Sequence, residues 1–241
     1  MPKNDFQPDR RALLKGSLLM LPAMGTGIGL IATAGADEAP PHIDDYTPTF
    51  FSTEEWQFIL AATDRLIPED ETGAGALGTN VPIFLDLQLG SEYGSADNWY
   101  MEGPFPKGAP AAFGYQLPFT PADLYRYGIA ATRRYCQDTY QADFPELEAK
   151  RQIEVLSGLE NGDIHFAPQQ GRELPSATFF SFLLKNTKEG YFADPQYGGN
   201  KHMGGWKMLG FTGARASFRE WVDQYDRPYP LGPVSLSGER G

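Results

Sequence analysis

Residues Glu189 to Gly213 read EGYFADPQYGGNKHMGGWKMLGFTG. Seven glycines sit among Tyr191, Phe192, Tyr197, Trp206 and Phe211, and charge is confined to Glu189, Asp194, Lys201, Lys207 and, once protonated, His202. A flexible linker would be rich in serine and poor in rings. Glycine instead permits positive φ and close backbone approach, while Phe, Tyr and Trp supply large areas to bury. The stretch therefore predicts a tightly folded loop pressed against the rest of the chain or against a second protein.

Outward from this loop the chain reads as helices. Ser176 precedes Phe179, Phe180, Leu183 and Leu184 at helical spacing, with Gly190 placed as the terminating C′ residue. On the other side, Phe218, Trp221, Val222 and Tyr225 mark a last amphipathic helix, ended by Pro228 and Pro230, and Ser235 to Gly241 reads as a frayed end. Towards the N-terminus, Pro145 opens a helix running through Leu156 and closed by Gly158. Thr120-Pro-Ala-Asp123 combines a threonine cap, proline at the first position and an acid in the first turn, and starts a helix reaching about Tyr140. Asn80 caps a short helix from Val81 to Leu89, stopped by Gly90. Ser52 and Glu55 form a capping box ahead of Trp56, Ile59, Leu60, Leu66 and Ile67, and Pro68 ends that run.

Between Ser91 and Phe119 the periodicity vanishes. Trp99, Tyr100, Phe105, Phe113, Tyr115 and Phe119 fall there among prolines and glycines. Disordered segments are aromatic-poor, so this long loop is a second candidate surface for a partner. No alternating strand run, internal repeat or βαβ rhythm occurs. The expected fold is all-α, an irregular helical domain with long aromatic- and glycine-rich loops.

The chain has 241 residues, 41% hydrophobic and 13% aromatic, enough for one domain with a sizeable core. Its formal charge of −11 argues against nucleic acid and against an anionic membrane surface. Asp9-Arg10-Arg11-Ala-Leu-Leu-Lys15 resembles a twin-arginine export signal, and uncharged Gly16 to Ala34 follows it with small-residue triplets at Ala32–Ala34 and Ala34–Ala36. A membrane anchor competes with this reading, since the uncharged run just reaches spanning length, but its glycines and Pro22 favour a removed signal. The expected organisation is a signal over residues 1–36 and one helical domain over 37–241.

Chemistry is sparse. Cys136 stands alone, which excludes an intrachain disulfide, a CxxCH haem attachment and a four-thiolate cluster; it reads as a buried small hydrophobe or, less simply, as half of an intermolecular disulfide. The acidic run Glu69-Asp70-Glu71 lacks the ligand alternation of a calcium loop and reads as a solvated turn. There is no GxGxxG after a strand, no phosphate loop and no GxSxG elbow, and His42, His165 and His202 stand far apart. We expect no catalytic, cofactor-binding or metal-binding residues in this chain. His202 reads as a loop histidine, with a base paired to Asp194 as the competing role. Tyr197, Gly198, Gly199, Asn200 and Trp206 are the candidate partner interface, with turn formation by Asn200 and packing by Trp206 as the simpler alternatives.

Gly190-Tyr-Phe-Ala-Asp-Pro195, Tyr197-Gly-Gly-Asn200, Gly205-Trp206 and Gly210 resemble the signature of the gluconate 2-dehydrogenase subunit 3 family, small subunits of membrane-bound flavin-dependent dehydrogenases of sugars and sugar acids. The resemblance covers about residues 50 to 225. It implies a non-catalytic accessory subunit bound to a flavin-dependent catalytic subunit, with FAD in that partner and haem c in a cytochrome c subunit passing electrons to membrane quinone. With Arg10 and Arg11 as the address for the twin-arginine export machinery, it further implies a periplasmic location, or one on the periplasmic face of the inner membrane, with this chain stabilising and escorting its partner. The alternative is a stand-alone periplasmic ligand-binding protein or enzyme that uses the aromatic loops as a pocket.

Overall fold

In a computed structural model, described here over residues 41–106 and 108–241, seven α-helices carry the fold. They are α1 (Thr53–Leu66), α2 (Val81–Leu89), α3 (Glu92–Ser95), α4 (Pro121–Tyr140), α5 (Ala149–Asn161), α6 (Ser176–Phe192) and α7 (Gly204–Leu209). No β-strand occurs among the described residues, only isolated bridges, as the all-α expectation requires. The described residues fall within one compact unit. Arg10, Arg11 and the rest of the expected export signal lie outside the described residues.

Within the core α2 packs against α1, α3 and α6. Its sequence VPIFLDLQL is apolar on nearly every side, and a helix hydrophobic all round has to be buried. Val81, Ile83, Phe84, Leu85 and Leu89 are accordingly buried. α1 lays Trp56, Phe58, Ile59 and Ala62 against the same core; α4 contributes Leu124, Tyr125, Ile129 and Cys136, and α6 contributes Phe179, Phe180, Leu183 and Tyr191. The Phe58 ring meets Phe144 at 4.8 Å and Phe179 at 6.3 Å between centroids, and Tyr125 meets Phe179 edge-on at 5.9 Å. Rings of this size dominate core energetics through the area they remove from water.

Helix starts follow their sequence signals at two sites. The capping box is formed, with the Glu55 N–H donating to Ser52 Oγ and the Ser52 N–H donating to Glu55 Oε2. Thr120 Oγ1 accepts from the Asp123 N–H to start α4. Elsewhere the expectations need correction. Asn80 does not cap α2: its backbone is left-handed (φ 59°) and its side chain donates instead to the Pro41 carbonyl at 2.9 Å. Pro145 opens only a 3₁₀ turn, Phe144–Glu146, because Leu147 is extended; α5 begins at Ala149 and passes through Gly158 to end at Gly162. α6 likewise runs through Gly190 to Phe192. Gly190 is there for close packing, since a Cβ on it would lie 2.8 Å from the Phe84 ring of α2.

The expected last helix is not formed. Only the 3₁₀ turn Arg219–Trp221 is present, with Phe218, Val222 and Tyr225 exposed. Nor is the C-terminus frayed. Val234 pairs with the backbone of Thr212 and Ala214, the Ser235 N–H donates to the Glu239 carbonyl, and Pro233 and Ser235 are buried.

Candidate functional site

The glycine–aromatic stretch folds as two consecutive 3₁₀ turns, Pro195–Tyr197 and Lys201–Met203, leading into α7. Asn200 is the hinge between them. It is 0% exposed, adopts the left-handed conformation (φ 48°), donates through Nδ2 to the Ala193 carbonyl at 2.8 Å and accepts the Gly205 N–H on Oδ1 at 2.9 Å. Asparagine tolerates this backbone region better than most residues, and its amide satisfies one donor and one acceptor of a buried turn. Trp206 is buried and donates from Nε1 to the Phe192 carbonyl at 2.8 Å, tying α7 to the end of α6. Gly199 lies against α6: a Cβ there would come within 2.3 Å of the Gly190 carbonyl oxygen. The two glycines therefore mark one crossing of backbone on backbone.

Asp194 is buried and accepts twice, from the Gln196 N–H on Oδ1 at 3.2 Å and from the Leu236 N–H on Oδ2 at 2.7 Å. Its carboxylate thus caps one turn and anchors the returning C-terminal segment. His202 is exposed, with a left-handed backbone, and makes no hydrogen bond to Asp194. Of the five candidate interface residues, Gly199, Asn200 and Trp206 are buried in this chain's own packing, Gly198 is half-buried, and Tyr197 presents its ring to solvent at 50% exposure. Phe192, Met208, Leu209 and Phe211 in the same stretch are also exposed.

The second loop is concave. Trp99, Tyr100, Phe105, Phe113 and Tyr115 line an open cleft of about 390 Å³, with the amides of Asn98 and Gln116 at its wall. Its floor is anchored on α6: Trp99 meets Tyr115 at 5.3 Å and Tyr115 meets Phe182 at 5.4 Å, both edge-on, and the Tyr115 hydroxyl donates to the Phe119 carbonyl at 2.7 Å. Behind it, Asn186 of α6 accepts from the Tyr125 hydroxyl at 2.9 Å and donates to the Tyr93 hydroxyl at 3.1 Å and to Glu189 at 2.7 Å. The outer rings, Tyr100 and Phe113, remain exposed.

Cys136 and Asp86 are two of the buried groups with titratable side chains. Cys136 is fully buried, and burial, with Asp143 adding to it, pushes its thiol up to about 12. It packs as a small hydrophobe. Asp86, which sequence reasoning missed, sits fully buried on α2. Oδ2 accepts from the Tyr46 hydroxyl at 2.7 Å and from the Thr49 N–H and hydroxyl at 2.8 and 2.9 Å; Oδ1 accepts from the Phe50 and Phe51 N–H groups at 3.0 and 2.9 Å. Burial raises its pKa, but these donors outweigh burial and hold the carboxyl below its ordinary value. The signal was available as a lone charge inside an apolar run. Among the described residues no group of three or more His, Cys, Asp or Glu is placed to hold a metal, and no helix is long and apolar enough to cross a membrane.

Fold and loops together define a helical protein whose sequence signature closes and holds its own core. The family model described as gluconate 2-dehydrogenase subunit 3 matches residues 53–213, more than half of the chain, and the protein belongs to that family. No curated protein and no solved structure shows significant similarity to the chain.

Proposed function

We propose that this chain is the non-catalytic small subunit of a periplasmic flavin-dependent dehydrogenase of a sugar, sugar acid or polyol, which stabilises the catalytic subunit and escorts it through twin-arginine export. The family match over residues 53–213 carries the reading, because the family is named as a subunit of a dehydrogenase. The chemistry of the signature loop agrees with it. Asn200, Asp194 and Trp206 direct their polar atoms to backbone groups of this chain, leaving Tyr197 and its apolar neighbours to meet a partner. FAD belongs to the catalytic subunit and haem c to a cytochrome c subunit.

The test is export and assembly in the native host. Replacing Arg10 and Arg11 by Lys keeps charge but removes the guanidinium forks. Dehydrogenase activity and both antigens are then expected to remain in the cytoplasm. If the catalytic subunit reaches the periplasm at normal levels, the escort role is wrong. If capture of the wild-type small subunit brings down no flavoprotein, the accessory role falls as well.

The aromatic cleft favours a second reading, a ligand-binding protein. Saturable quenching of Trp99 fluorescence by a neutral sugar, abolished in Trp99→Phe by loss of the reporter and in Tyr115→Ala by loss of the wall, would favour it over a purely assembling role.

A further inference from the structure

The segment from Ser217 to Arg227 carries a helix in its sequence that the chain by itself does not form. Ser217 and Glu220 stand at capping-box spacing, and at about 100° per residue Phe218, Trp221, Val222 and Tyr225 fall within about 100° of arc, with Arg219, Glu220, Asp223, Gln224, Asp226 and Arg227 all on the other side. In the structure both ends of that helix are prepared. The Arg219 N–H points to Ser217 Oγ at 3.4 Å, and Asp226 takes the left-handed backbone (φ 54°) that commonly follows a last helical residue. Between them the backbone makes only tight turns, Trp221 N–H to the Phe218 carbonyl at 2.8 Å and Gln224 N–H to the Trp221 carbonyl at 3.0 Å. The apolar arc is open to water: Phe218 is 41% exposed, Val222 63% and Tyr225 79%.

The physical cause is length. A helix of about two turns is too short to persist in water and forms when its apolar face is buried. Among the described residues the face stays open at Phe218, Val222 and Tyr225, while Phe218 and Trp221 meet the Tyr229 ring at 5.5 and 5.3 Å. We propose that residues 218–225 fold into a helix on docking into an apolar groove of the catalytic subunit, a reading that rests on the accessory role proposed above. The segment lies beyond the family match, which ends at residue 213, so the docking is an addition to what the family shares.

Other occupants fit less well. A helix lying in a membrane interface carries a Lys- and Arg-rich polar face, whereas this one sets two arginines against three acids on a chain of charge −11. Pairing with a second copy would bury on the order of 600 Å² per chain, counting roughly 150 Å² for each ring or branched side chain, the low end of the range because Phe218 is already more than half covered, below the roughly 800 Å² per partner of a stable interface. As one element of a larger subunit interface, the same area is sufficient.

The test is capture of the catalytic subunit by the full small subunit, co-produced in the native host. Val222→Pro forbids the helix; in the free chain Val222 already has φ −57°, and the cost there falls on the exposed turn Arg219–Trp221 ahead of it rather than on the core. Tyr225→Ser removes a ring that the free chain leaves in water. Each is expected to weaken capture about tenfold or more while the melting temperature of the isolated subunit stays unchanged. Ser217→Ala is expected to weaken capture about fivefold and Ser217→Asp to restore it, which a merely apolar patch would not do. Amides 219–225 should exchange rapidly in the free chain and slowly in the complex. Wild-type capture with equal capture by Val222→Pro and Tyr225→Ser overturns the docking helix alone. No capture by the wild type overturns the accessory reading and the docking with it. Loss of flotation with phosphatidylethanolamine–phosphatidylglycerol vesicles, or of self-association, in variants that still capture the flavoprotein would reassign the helix to the membrane or to a second copy.

Discussion

Asp86 shows what one side chain can organise. Its two oxygens take five donors, three of them backbone N–H groups from Thr49, Phe50 and Phe51. Asp86→Asn turns one acceptor into a donor facing donors, and is expected to cost at least about 2 kcal/mol, a fall of about 4–8 °C or more in melting temperature. The pH dependence has a definite sign. Because the folded carboxyl has a lowered pKa, its contribution is complete above the ordinary aspartate value of about 3.9 and is lost as pH falls through the folded value. Acid titration of stability should therefore be shallower in Asp86→Asn than in the wild type; equal slopes would show that Asp86 is not the titrating group. At the loop crossing, Gly199→Ala is expected to cost about 2 kcal/mol or more, since the added Cβ would sit 2.3 Å from the Gly190 carbonyl oxygen. An unchanged thermal melt would show that the crossing yields. Sequence reading found Gly199 and Asn200 by their company of rings, but it could not tell a loop pressed on its own helix from one pressed on another protein. Both need the same residue types.

Among the elements, legibility followed how local the deciding interaction was. The capping box at Ser52 and the cap at Thr120 involve residues three apart, and both starts were readable. Gly158 and Gly190 were misread as stops because glycine inside a helix is kept for close packing: Ile164, just past the end of α5, lies against Gly158, and Phe84 of α2, distant in sequence, lies against Gly190. The C-terminal return was invisible for the same reason, since the partner of Leu236 is Asp194. Truncation after Gly213 tests that return. It removes the Leu236 donor from a buried carboxylate and the Val234 backbone that packs on Gly213 beside the Trp206 ring. The expected result is a melting temperature lower by about 4–8 °C for a cost of about 2 kcal/mol, with helical circular dichroism per residue retained. No change would make the return an ornament of the fold.

For the whole molecule, the accessory reading predicts that the isolated subunit absorbs only in the aromatic band. A stoichiometric flavin or haem spectrum that survives further purification would overturn it, and a trace that washes away would be partner carried along. The acidic balance of the chain, −11, adds that capture of the catalytic subunit through an apolar helix should weaken little between low and moderate salt. Exposed charges are screened over about 8–10 Å under those conditions, whereas buried apolar area is not.

The arm from Pro41 to Phe51 is pinned at both ends. The Pro41 carbonyl accepts from Asn80 at 2.9 Å and from Lys201 at 3.1 Å, and ten residues further on Asp86 holds Phe51. In mechanical terms these pins are moorings. A pull at Pro41 meets the Asn80 and Lys201 donors first and the Asp86 carboxylate on α2 next, so the mooring takes the strain before the hull of the first helix can move.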